Sequence, residues 1–108
     1  MSIIDTPTEL SNLVEYQDGS VVSQTLVKAK AGTVTAFAFD KGEGLSEHTA
    51  PFDALLQIID GRATITVGGD VHAVAAGEII RLPANIPHAV QATERFKMLL
   101  IMIREPKA

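Results

Sequence analysis

An all-β fold, a sandwich or a barrel, is what this sequence predicts, and three observations carry that expectation. Turn signals recur about every ten residues, from Asp18-Gly19 to Thr93-Glu94-Arg95. The segments between them are short and enriched in Val, Ile, Thr and Phe, and several alternate with the period of two that a strand requires. Nowhere does the chain sustain the 3.6-residue periodicity of an amphipathic helix.

In chain order, Thr8 to Leu13 reads as a lead-in coil or a single helical turn, and Val14 to Gln17 as a short strand. Asp18-Gly19 is a strong hairpin signal, and Val21 to Lys28 follows as a second strand. After the turn Ala29-Lys30-Ala31-Gly32, the segment Thr33 to Asp40 alternates. Thr33, Thr35, Phe37 and Phe39 share one face, and Val34, Ala36 and Ala38 share the other. Lys41 to Gly44 is a glycine-relieved loop. Leu45 to Asp60 is broken at Pro51, and its apolar run is too short and too β-branched for a helix. Asp60-Gly61 is again a hairpin signal. Arg62 to Val67 then alternates cleanly, with Ala63, Ile65 and Val67 inward. Val71 to Ala75, Ile79 to Leu82, His88 to Ala92 and Phe96 to Arg104 are the remaining strands.

One stretch stands out, GEIIRLPANIPHAVQA, Gly77 to Ala92. Pro83 and Pro87 each fix φ, and Asn85 between them tolerates left-handed geometry better than any other non-glycine residue. A stiff corner therefore delivers His88 in a fixed direction.

The chain has 108 residues, 46% of them hydrophobic, which suits one folded domain over 1–108. The barrel core is expected at about 33–103 and N-terminal strands at 13–28. The absence of cysteine excludes disulfides, thiolate metal sites and a cysteine nucleophile. A net charge of -4, no tryptophan and no basic cluster argue against nucleic-acid binding. The first ten residues carry no long apolar run, and Met98 to Ile103 is too short to cross a bilayer, so no membrane association and a cytoplasmic location are expected. The last strand, FKMLLIMI, is apolar on both faces. Such a strand needs cover on both sides, and no helix is there to supply it. A homodimer with a sheet-to-sheet interface is the expectation.

Two stretches resemble the signature motifs of the cupin superfamily, small double-stranded β-helix (jelly-roll) barrels. The first motif falls on Gly42, His48, Ala50, Ala54 and Gly61, and the second on Gly77, Pro83, Asn85 and His88. The resemblance spans about residues 33 to 103. It implies that four positions hold a metal: two histidines and a glutamate from the first motif and a histidine from the second. This chain keeps His48 and His88 but has Ala50 and Ala54 at the other two positions. Zn, Fe, Mn or Ni sites usually take three or four protein ligands. Asp53, Glu47 and Gln57 are nearby candidates for a third donor. Strand parity points Glu47 and Gln57 away and leaves Asp53 open. His72, flanked by Val71 and Ala73 of inward parity, reads as a surface residue.

Three function classes follow. One is a small-molecule-binding protein with a pocket marked by His48 and His88. Another is a metal-dependent cupin enzyme of dioxygenase, isomerase or decarboxylase type. The last is a metal-free isomerase or epimerase using a histidine as proton carrier. The broken ligand set favours the first.

Overall fold

A computed structural model describes residues 3–105. Two short 3-10 turns, Ile3–Asp5 and Leu10–Asn12, precede eight strands. These are β1 (Val21–Ala29), β2 (Gly32–Phe39), β3 (Gly44–His48), β4 (Ala54–Val67), β5 (Asp70–Ala75), β6 (Ile79–Leu82), β7 (His88–Gln91) and β8 (Phe96–Ile103). All pairings are antiparallel. The sheet curls into a barrel, and β4 runs through both halves of it. The first part of β4 lies between β8 and β6, and its last part lies between β7 and β5.

Alternation explains the core. In β2, Phe37 and Phe39 face inward, and Ala36 and Ala38 belong to a separate outer cluster. Phe39 stacks on Phe96 with ring centroids 4.5 Å apart. Leu56, Ile58, Ala63, Ile65 and Met98 complete a fully buried interior.

Two sequence expectations are corrected. Val14 to Gln17 is not a strand, so the N-terminal strands expected at 13–28 reduce to β1. Leu13 and Val14 are buried against Ala36, Ala38 and Leu99 on the outer face of the sheet. Tyr16 donates a 2.5 Å hydrogen bond to Asp60, and Lys97 Nζ donates a 2.6 Å bond to the Ser11 carbonyl. This segment gains more from lying flat as an apolar strap than from adding an edge strand. It also covers part of the outer face of β8 from within the chain.

The second correction is at Asp60-Gly61, which makes no hairpin. Strand β4 passes straight through, with a register shift against β8 between Ile58 and Asp60. Gly61 sits at φ 72, and a Cβ there would lie 2.2 Å from the Arg95 carbonyl oxygen. Its glycine serves a β-bulge that bends the strand from one half of the barrel to the other.

Candidate functional site

The barrel is closed at one end and open at the other. The inward-facing rows of β2, β8, β4 and β6 make this plain. At the closed end, Phe39 and Phe96 are fully buried. Two rows away, Leu100 and Ile80 are only half-buried, beside Leu56. The last row holds Thr33, Met102, Ala54 and Leu82, and Thr33 and Met102 are again half-buried. This open end is the mouth.

Four connections are tied together around the mouth by backbone hydrogen bonds. Asn85 N–H donates to the Ala50 carbonyl (2.7 Å) and Gly68 N–H to that of Pro87 (2.8 Å). Ile103 N–H donates to the Asp53 carbonyl (3.1 Å) and Arg104 N–H to that of Ala31 (2.7 Å).

His88 comes from the corner singled out in the sequence. Pro83 and Ile86 close a turn (3.3 Å), and Asn85 has φ 63, the left-handed value anticipated for it. His48 ends β3. The register of β3 against β7 shifts between Leu45, opposite Val90, and His48, opposite His88. That irregularity turns both Leu45 and His48 toward the barrel interior. Simple parity could not show it.

The two histidines meet. Their Nε2 atoms are 3.1 Å apart, and the rings cross at 69° with centroids 4.4 Å apart. Hydrogen-bond partners set the tautomer of His48. His48 Nδ1 lies 2.7 Å from the Ser46 carbonyl, which can only accept, so Nδ1 carries the proton and Nε2 offers a lone pair. His88 has two acceptors in reach, the Ile86 carbonyl at Nδ1 and His48 at Nε2, and in the tautomer protonated at Nε2 it donates to His48. The contact of His88 Nδ1 with the Ile86 carbonyl is longer, 3.3 Å. His88 is buried and His48 exposed. Burial, followed by the charge a protonated His48 would carry, holds the His88 pKa below the usual imidazole range. Both causes favour the neutral imidazole.

The other candidates lie elsewhere. Asp53 Oδ1 accepts the Ala84 N–H at 2.8 Å, so this carboxylate braces the corner behind His88. Glu47 is exposed, and Gln57 pairs with Leu99 and Ile79 on the outer face. His72 is exposed as expected, but for a different reason. Val74 is the buried residue of β5 and Val71 is 69% exposed, so His72 has inward parity on an edge strand too short of neighbours to cover it. A cleft of about 590 Å³ beside the mouth is lined by Phe52, Asp53, Ala84, Ile103 and Arg104 among others, with the Arg104 guanidinium 5.3 Å from the Phe52 ring centre. It includes neither histidine.

The chain matches the cupin domain family over residues 36–104. It belongs to the cupin family. A conserved protein of unknown function from Streptococcus pyogenes shares its structure at a TM-score of 0.89, with 36% identity over 96% of this chain and 90% of that one. A cupin 2 conserved barrel domain protein from Leptotrichia buccalis is 47% identical at a TM-score of 0.84, and the match covers 87% of this chain but 46% of that chain. A cupin superfamily protein from Desulfitobacterium hafniense is 30% identical at a TM-score of 0.88, over 94% and 93% of the two chains.

Cupins often bind a metal, and the residues of this cupin can be tested against that. Two Nε2 atoms converge at 3.1 Å, but they are two donors where such sites usually take three or four, and Asp53 is committed to the corner. Ala50 and Ala54 supply no donor. Among the described residues, no group of three or more His, Cys, Asp or Glu could hold an ion. The donor set does not fit a resident mononuclear metal.

Proposed function

We propose that this cupin binds a small organic molecule in the mouth of its barrel, held by His48 and His88. The observation that carries the reading is the 3.1 Å approach of the His48 and His88 Nε2 atoms, which with His88 protonated at Nε2 sets an acceptor beside a donor. A hydroxyl group both donates and accepts. Entering between the rings, it would replace one imidazole–imidazole bond with two, donating to His48 and accepting from His88. Each bond of this kind contributes about 0.5–1.5 kcal/mol net. The half-buried apolar rows behind the pair, with Leu100, Met102 and Ile80, offer the remaining surface. Ala54, in place of a larger acid, keeps that space apolar.

The test is a ligand screen by thermal shift on untagged protein, with His48→Ala and His88→Ala alongside. A hydroxylated metabolite that raises the melting temperature of the wild type but of neither variant supports the reading. Stoichiometric metal by elemental analysis, lost in both variants, would replace it with a metal-centred one.

A further inference from the structure

The open row of the barrel contains one polar side chain that the fold does not use. Among the described residues, Thr33 Oγ1 is the buried side-chain polar atom left without a hydrogen-bond partner. Its row neighbours are Met102, which it faces across the strand pair, then Ala54 and Leu82, all apolar. Register through β2 and β8 is unbroken from Gly32 opposite Ile103 to Phe39 opposite Phe96. Thr33 therefore shares the inward face with Phe37 and Phe39. It follows Gly32 directly, and the neighbouring Ala31 carbonyl is one of the ties that ring the mouth. Thr33 thus stands at the same end of the barrel as the histidine pair, on the opposite sheet.

A buried hydroxyl without a partner is costly, and valine has the same shape without that cost. A strand favours threonine and valine alike, so the hydroxyl itself is the part that no partner in the fold uses. The Thr33 side chain is half-buried, and a turn of about 120° about χ1 exchanges the hydroxyl with the methyl group.

We infer that Thr33 is a second polar contact for the molecule held by His48 and His88. This deepens the binding proposal above and rests on it. It also narrows the ligand class. Facing sheets stand about 10 Å apart, backbone to backbone, and side chains fill part of that gap. The molecule is short, with an oxygen function at each end and an apolar middle: one hydroxyl group for the imidazoles, and a second oxygen, hydroxyl or carboxylate, for Thr33. Aliphatic hydroxy acids and diols of about four to six carbons have this form.

The experiment uses a panel of such C4 to C6 hydroxy acids and diols, with binding read by ligand-observed NMR and affinity by titration. Wild type, His88→Ala and Thr33→Val are compared, together with their melting temperatures. The expected result is binding to wild type, loss in His88→Ala, and a three- to tenfold weaker affinity in Thr33→Val, whose melting temperature equals or exceeds that of wild type. Bifunctional members should lose this affinity in Thr33→Val, while monofunctional alcohols of the same length should not. Affinity unchanged in Thr33→Val but lost in His88→Ala would overturn the role of Thr33 and leave the histidine site standing. No binding of any panel member to wild type would overturn the histidine site as well. A clear drop in the melting temperature of Thr33→Val would show that the hydroxyl has a structural partner, and would also sink the inference.

Discussion

Asn85 holds the corner that aims His88, and its backbone is where that aim is set. At φ 63, an L-residue with a plain Cβ pays about 1–2 kcal/mol. Asn85→Ala should therefore cost about 1–2 kcal/mol in urea unfolding, whereas Asn85→Gly should stay within about 1 kcal/mol of wild type. The side chain is exposed, so lost packing does not confuse the comparison. Asp40 supports a second residue-scale expectation. Its carboxylate accepts from Gly19 N–H (2.6 Å), Arg95 Nε (2.7 Å) and Lys41 N–H (2.9 Å). These bonds, the one from Gly19 foremost, lower its pKa from 3.8 to about 2. A depressed carboxylate stabilises the fold above its unfolded pKa and loses that contribution as the pH falls through the folded value. Between pH 4 and pH 2, wild type should lose more stability than Asp40→Asn, measured by denaturant unfolding at each pH. At this scale, part of the site was legible. Asn85 and His88 announced themselves through their flanking prolines. The approach of His48 to His88 was implied by the cupin resemblance, but the shift in β3 that produces it leaves no mark in local sequence. Thr33 looked like one more strand threonine, because a missing partner is a property of the packed interior.

Among the elements, β4 departs furthest from the local signal. Asp-Gly is the strongest short hairpin cue, and here it lies inside a 14-residue strand. The turn preference is overridden because Asp60 bonds Tyr16 and Gly61 lies against β8, so chain continuity is held by tertiary contacts. Glycine is still required. Gly61→Ala combines a positive φ with a clash against backbone and should cost about 3 kcal/mol or more. Gly69 is the control: its φ is 87, but a Cβ added there would meet nothing within 4 Å, so Gly69→Ala should cost only about 1 kcal/mol. Chemical denaturation of the two variants separates clash from backbone strain. The strands with clean alternation, β2 and the second half of β4, were readable because each has one face in the core. The N-terminal strap was not, since Leu13 and Val14 look alike whether they join a sheet or lie across it.

For the whole molecule, the outer face of the β1-β2-β8-β4-β6 layer is only partly covered. Leu13, Val14 and Tyr16 cover one end. Toward the mouth, Val27 (46%), Ile79 (58%) and Ile103 (53%) remain exposed, beside half-buried Val34, Leu55 and Ile101. We propose that a second copy of the chain packs on this face. Arg81 flanks this face beside Leu55, but the centre of the face is apolar and selects an equally apolar surface, and a two-fold contact covers both copies at once. Light scattering at micromolar concentration should give twice the 11.5 kDa of one chain, and Ile101→Lys should return the monomer. A monomeric wild type would refute the proposal.

The single long strand common to both halves of the barrel also determines how the protein comes apart. Neither half has an interior of its own without β4, so there is no smaller unit to open first. Amide protons of Leu56 and Ile65, on either side of the bend, should exchange with solvent at one shared rate, that of global opening. The rim that presents the two imidazoles is then anchored to the slowest-moving part of the molecule.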